Sequence, residues 1–351
     1  MTFQNGITPE TLEYLAEAVC IVHYAHRRRL TKVTAPLMNT LDPCPFQPDS
    51  TRAYREWRAR KLDAYPSSVA ELMVPIGELA APSAEECAAV VAACRRANLA
   101  VVTTRPGGVD KAAVRDFGRY FGLHALDANL HADPDGISAL HVAEAGERRD
   151  YIPYTNRALN WHTDGYYNEP GQWVHAFIIF CAQDAAEGGE NQLLDHEIAY
   201  ILLRDADPRL IEALMHPRAL TIPANIEQGV EIRGEETGPV FSVDSKRGSL
   251  HMRYSARTRN VRWRDDPMTR AAREFLVDLW ENGSAHAYHH RLMPGQGIIC
   301  NNVLHSRTAF CDDPANGRTR LMYRARYYDR IAGTETTRGC AGLSMNAPMT
   351  V

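Results

Sequence analysis

Asn160-Trp161-His162-Thr163-Asp164-Gly165 is the stretch on which the reading of this chain turns. In an extended strand, side chains two residues apart share a face, so His162 and Asp164 reach toward one point. An imidazole nitrogen and a carboxylate oxygen meeting there make two ligands of a metal ion. A third ligand has to come from a distant part of the chain. The best-placed candidate is His305, in Asn301-Asn302-Val303-Leu304-His305-Ser306-Arg307. It follows a turn at Pro294-Gly295-Gln296-Gly297 and an apolar strand, Ile298-Ile299-Cys300. The pair His289-His290 is its rival, but it precedes that turn. Two imidazoles and one carboxylate on one side of a metal leave open positions opposite. That is the facial triad of non-haem iron(II) oxygenases. Zinc accepts the same donor set.

Downstream of His305 comes Gly317-Arg318-Thr319-Arg320-Leu321-Met322-Tyr323-Arg324-Ala325-Arg326. It alternates like a strand, with Leu321, Tyr323, Ala325 and Tyr327 on one face and Arg320, Arg324 and Arg326 on the other. Arginines on one face repel each other unless solvent or a bound anion intervenes. A dicarboxylate is such an anion, and a planar guanidinium grips a carboxylate with two parallel hydrogen bonds.

With these pieces in order, the chain resembles the taurine dioxygenase (TauD/TfdA) family across roughly residues 97–328. The pattern reads Trp161-His162-Thr163-Asp164, a strand at Val174–Ala182, a turn at Gly188-Gly189-Glu190-Asn191, His305, and then Arg320 and Arg324. The resemblance implies a mainly β fold with flanking helices around a double-stranded β-helix, a cupin-like jelly roll. It implies iron(II) held by His162, Asp164 and His305, with 2-oxoglutarate and dioxygen as co-substrates. It implies that Arg320 binds the far carboxylate of 2-oxoglutarate with help from Asn191, and that Arg324 sits nearer the iron and the substrate. Two departures stand out. Asn191 occupies a place where the family usually has threonine, and Cys300-Asn301-Asn302-Val303-Leu304 lacks the Asp-Asn-Arg run that often precedes the distal histidine. Halogenases of this chemistry replace the ligand carboxylate by a small residue. Asp164 is present, so the expected reaction is hydroxylation with release of succinate and carbon dioxide.

The substrate is less legible. Tyr166, Tyr167 and Asn168 follow the metal motif and can overhang the metal, where aromatic rings wall off water. A second cluster, His251-Met252-Arg253-Tyr254-Ser255-Ala256-Arg257 with Arg259 behind it, offers a substrate rim. The arginine excess around the expected pocket points to a small anionic substrate held by Arg324 and Arg253. Two other classes stay open: a jelly-roll sensor that binds metal or a small acid without turnover, and a zinc hydrolase. The zinc reading lacks a helical HExxH, and a serine hydrolase lacks a GxSxG elbow.

The rest of the sequence sets bounds. The chain has 351 residues and a formal net charge of −4, which argues against a surface built for nucleic acid. Its eight cysteines show no CxxC spacing, so they are expected to be free thiols in a reducing compartment. The beginning, MTFQNGITPETLEYL, has no basic region before an apolar core. No apolar run reaches the roughly 20 residues that span a bilayer. The expectation is a cytoplasmic protein with a small-molecule substrate, no membrane and no nucleic acid; a homo-oligomer stays open. Residues 1–96 are expected to form a helical and irregular extension packed on the core, 97–330 the oxygenase domain and 331–351 a tail. The extension holds a helix opened at Thr8-Pro9 and another opened by a capping box at Ser83-x-x-Glu86. Strands are expected at Leu99–Thr103, Ile137–Val142, Val174–Ala182, Gly297–Asn301 and Arg318–Tyr328. Helices are expected at Asp110–Tyr120 and behind Asp207-Pro208 and Asp266-Pro267.

Overall fold

The computed structural model describes residues 44–335, apart from 128–131, 144–145, 228, 245–247 and 258–260. The helix expected at Thr8-Pro9, most of the C-terminal tail and Arg259 lie outside the described residues.

Local chemistry places the helices where the caps are. Ser83 Oγ accepts the Glu86 amide at 3.2 Å, and the Glu86 carboxylate accepts the Ser83 amide at 2.7 Å. This reciprocal box starts Ala84–Ala97, which ends at Asn98 in the left-handed region. Aspartates 110, 207 and 266 cap Lys111–Arg119, Pro208–Met215 and Pro267–Glu281 as expected. Asp195 does the same for His196–Ala206. One helix was not foreseen. Thr51–Ala64 starts without a side-chain cap and half of its residues are charged, so neither signal announced it. In chain order these helices are α1 (Thr51–Ala64), α2 (Ala84–Ala97), α3 (Lys111–Arg119), α4 (His196–Ala206), α5 (Pro208–Met215) and α6 (Pro267–Glu281).

Two sheets form the jelly roll. Their strands are β1 (Met73–Pro75), β2 (Leu99–Thr103), β3 (Ile137–Leu140), β4 (Leu159–His162), β5 (Ala176–Gln183), β6 (Asn191–Leu194), β7 (Tyr288–His290), β8 (Gln296–Cys300), β9 (Leu304–Arg307) and β10 (Leu321–Tyr327). The large sheet runs β1-β2-β8-β5-β10-β3 and the small one β7-β6-β9-β4. All neighbours are antiparallel except β1 and β2, which are parallel. β10 starts after Arg320, and its pairing with β5 shifts register between Leu321 and Met322.

One apolar core lies between the large sheet and helices α2 and α3, around Val101, Phe117, Ile178, Phe180 and Ile299. A second gathers α1, α4, α5 and α6, around Trp57, Tyr200, Ile211 and Leu276. Lys61 of α1 is buried and pairs with Asp195 and Glu197, each at 2.6 Å. Cysteines 87, 94, 181, 300 and 311 are free. Cys44 is disulfide-bonded, so the expectation of free thiols fails there. Among the described residues, no helix is long and apolar enough to cross a membrane.

Candidate metal centre

β4 and β9 lie side by side with His162 facing His305 in register, and the two rings are 4.2 Å apart. β4 ends at His162, so Asp164 sits on the turn beyond it rather than in the strand. Its place is fixed by contacts from far along the chain. The Thr163 amide donates to the Tyr254 carbonyl at 3.0 Å, and His162 bridges to Ser255. Asn302 Oδ1 accepts the Asp164 amide at 2.8 Å, while Asn302 Nδ2 donates to the carbonyls of Asp164 and Val174. Gly165 then turns the chain at φ +65°, where an added Cβ would lie 2.5 Å from Val174 Cγ2. Donor atoms of His162, Asp164 and His305 all come within 4.8 Å of one another.

The donor chemistry suits a divalent cation. His162 Nδ1 donates to the Asn160 carbonyl at 2.8 Å and His305 Nδ1 to the Val303 carbonyl at 2.9 Å. A carbonyl only accepts, so each ring carries a proton on Nδ1 and leaves Nε2 as the atom to face a metal. Burial, with His162 and Arg324 nearby, pushes the His305 imidazolium down to about 3. Burial alone would raise the Asp164 carboxyl, but Arg324, His162 and Arg326 hold it well below the usual carboxylate range. Asp164 Oδ2 is buried with no hydrogen-bond partner. A buried carboxylate oxygen left without a partner beside two imidazoles anchored through Nδ1 is the arrangement a metal ion completes. His290 lies elsewhere, bonded to Gln296 Oε1 at 3.1 Å.

Two chambers meet at this point. The smaller, of about 40 Å³, runs between the sheets from His305 to Asn191, Arg307 and Arg320. Arg320 is buried, and its guanidinium has no hydrogen bond or ion pair among the described residues. Burial and nearby Arg324 lower it to about 10; burial and nearby Arg320 lower Arg307 to about 9. The two guanidiniums lie 4.7 and 5.1 Å from the Phe310 ring centre. Asn191 pairs with Arg307 across β6 and β9, and its amide donates to the His290 carbonyl at 3.3 Å. A carboxylate in this chamber would relieve both cations at once. Arg307 was missed in the sequence because nothing separated it from an ordinary strand arginine. Part of its role is structural, since it donates to the carbonyls of Thr155 and Arg157.

The larger chamber, about 790 Å³, opens from His162 and Asp164 past Tyr166 and Tyr167. A hairpin, Asn225–Glu227 with Val230–Arg233, forms part of its wall. Arg324 lines both chambers and lies 3.4 Å from Asp164 Oδ1, with its Nε buried and unpartnered. Arg326 pairs with Asp127 at 2.5 Å and donates to the Tyr167 hydroxyl at 3.1 Å. Arg253 does not reach this chamber. Its guanidinium is buried and donates to the carbonyls of Pro239, Tyr166, Glu236, Leu220 and Gly238, so it clasps loops instead of lining a rim. Among the described residues the expected arginine excess also fails here: four arginines (233, 257, 324 and 326) face five acids (127, 164, 169, 227 and 236).

Asn302 is the residue whose role the sequence concealed. It adopts φ +50° and spends its whole amide on the backbone around Asp164. Replacing it by alanine strips those bonds and leaves Asp164 free to swing. We expect Asn302→Ala to weaken divalent-metal binding by roughly 10–100-fold. Anaerobic titration followed by metal analysis measures this, and an unchanged affinity would mean that Asp164 is positioned by other contacts.

Comparison with known proteins gives a consistent picture. A sequence profile described as taurine catabolism dioxygenase TauD, TfdA family matches residues 62–326. A uridine-5′-phosphate dioxygenase from Streptomyces sp. is 28% identical over 219 residues, covering 56% of this chain and 71% of that one. Among solved structures, AAD-2 in complex with Mn(II) and N-oxalylglycine aligns with a TM-score of 0.52 and 13% identity, over 74% of this chain and 96% of that one. Asparagine oxygenase aligns with a TM-score of 0.50 and 16% identity, over 73% and 93%.

Proposed function

The chain belongs to the taurine catabolism dioxygenase TauD, TfdA family, and from that membership we propose specific roles for its residues. It is an iron(II)- and 2-oxoglutarate-dependent dioxygenase. In our reading His162, Asp164 and His305 hold the iron, and the observation that carries this is the orphaned Asp164 Oδ2 in a cluster whose donor atoms lie within 4.8 Å of one another. Iron bound there supplies the activation of dioxygen, with 2-oxoglutarate leaving as succinate and carbon dioxide while the substrate gains oxygen.

The remaining work falls to the chain. Arg320, with Arg307 and Asn191, grips the far carboxylate of 2-oxoglutarate in the small chamber. That orients the keto acid end toward His305. Arg324 is shared between chambers; once Asp164 turns its charge to the metal, Arg324 is free to take an anionic group of the substrate. Tyr166 and Tyr167 stand beside Asp164 and keep water from the reacting carbon. The sensor and zinc-hydrolase alternatives are not favoured by the family match.

We propose an organic substrate bearing an anionic group. The larger chamber is of a size that suits a drug-sized molecule rather than a very small acid. The Streptomyces relative is a uridine-5′-phosphate dioxygenase, so phosphorylated nucleosides head the candidates. A substrate screen that follows coupled succinate formation by mass spectrometry tests this. Arg324→Leu is expected to raise the KM of the substrate found by about tenfold or more, equivalent to losing at least ~1.4 kcal/mol of charge-assisted contact. If a cationic or wholly apolar compound is the substrate, or Arg324→Leu leaves KM unchanged, the anionic reading is wrong.

A further inference from the structure

The cation excess missing from the large chamber is found beside it. A side chamber of about 270 Å³ shares Ser255 and Arg257 with the large one. Among the described residues its other charged lining residues are Arg264, Arg270, Arg273 and Asp265, so four described arginines face one described acid. Two of the arginines have carboxylate neighbours, Arg264 with Asp266 at 3.4 Å and Arg270 with Asp265 at 3.2 Å. Arg257 and Arg273 have no side-chain hydrogen bond or ion pair among the described residues.

Position adds to charge. Ser255 bridges directly to His162, and Arg257 lies two residues further along the same segment. The chamber therefore begins next to the proposed metal ligand and leads away from it. Arg270 and Arg273 are three apart on α6 and so stand on one face of that helix, supported from behind by buried Thr269, Ala272 and Leu276. With Arg264 and Arg270 already paired, Arg257 and Arg273 are the guanidiniums left to an added anion, and guanidiniums suit phosphate or carboxylate oxygens. A volume this small admits one group of a molecule, not the surface of a macromolecule.

We infer that the substrate carries a second anionic group, of the phosphate or carboxylate class, which this arginine-lined side chamber holds while the carbon to be oxidised lies beside His162 and Asp164. The inference rests on the anionic-substrate reading above and extends it from one charged group to two. A substrate of this class spans both chambers, with Arg257 at the junction.

The test uses the full-length protein and inorganic pyrophosphate, measured by isothermal titration calorimetry at low ionic strength. Wild type is expected to bind it. Arg257→Ser and Arg273→Glu are each expected to weaken binding by about tenfold, roughly one charge-assisted contact, while Arg324→Leu leaves it unchanged. Arg273 is exposed, so its variant does not disturb the core, and thermal melts of all three variants control for folding. No pyrophosphate binding by wild type, or wild-type affinity retained in Arg273→Glu and Arg257→Ser, overturns the inference. Binding lost only in Arg324→Leu also overturns it, while leaving the single-anion reading intact. With the substrate from the screen, Arg273→Glu is expected to raise KM and spare kcat and iron content. An unchanged KM would overturn the side-chamber assignment even if Arg324→Leu had the effect given above.

Discussion

Replacing His305 by alanine is expected to abolish turnover, by on the order of a thousandfold or more, and to remove the iron. The magnitude follows from what is lost. Disturbing only the hydrogen-bond partner of a ligand costs roughly 10–100-fold in metal affinity or activity, and removing the ligand itself exceeds that. The fold should survive. His305 packs against Phe177 at 4.7 Å, but the strand that carries it is held by its own ladder to β6 and β4. His162→Ala and Asp164→Ala should behave alike, whereas His290→Ala should keep its iron. Iron stoichiometry by elemental analysis, far-UV circular dichroism and succinate release together read the result. A His305→Ala protein that retained one iron and most of its activity would disprove the triad.

Arg320→Ala is expected to raise the apparent constant for 2-oxoglutarate by about ten- to a hundredfold. A charge-assisted hydrogen-bond pair shielded from water contributes roughly 1.5–3 kcal/mol, which converts to that range. Arg307 shares the chamber, so Arg307→Leu should act in the same direction. Its effect should be smaller, because much of that side chain already serves the carbonyls of Thr155 and Arg157. Arg318 is outside the chamber and paired with Asp184 at 2.9 Å, so its replacement should leave the constant alone. Anaerobic titration of 2-oxoglutarate into the iron-loaded protein, followed by its metal-to-ligand absorption, gives the constants without turnover. If Arg320→Ala folds and its constant is unchanged, the far carboxylate is held elsewhere.

The parts of this site legible in the sequence are those written in short-range periodicity. His162 at the end of its strand, a histidine behind a glycine turn, and arginines alternating along β10 all express backbone geometry that neighbouring residues reveal, whereas Asp164 lies beyond the strand and is placed by distant contacts. The helices announced by capping residues were equally readable, at Ser83, Asp110, Asp207 and Asp266. What stayed hidden depends on contacts between distant segments. Asn302 lies 138 residues from Asp164, and as a sequence feature it looked like a missing Asp-Asn-Arg run. Arg253 looked like a substrate arginine, yet it is buried by carbonyls that no local pattern brings together. The charge balance of the large chamber was hidden too, because its acids at 127, 169, 227 and 236 arrive from separate loops and strands. Thr51–Ala64 was unreadable for another reason: its buried face is narrow, with Tyr54, Trp57 and Lys61 its only buried residues.

The buried Lys61 bears on how much of this chain forms a module. The stretch that matches the family profile begins at residue 62, one position after it. A chain trimmed to that stretch would keep Asp195 and Glu197 in the interior and lose the ammonium that lies 2.6 Å from each. Removing one partner of a buried ion pair costs about 3–5 kcal/mol, a large share of a domain's whole stability. Phe46, Tyr54 and Trp57 would leave the second core with it. The unit that recurs across relatives is therefore shorter than the unit that folds here, and α1 belongs to the enzyme's architecture as a counter-ion delivered on a helix.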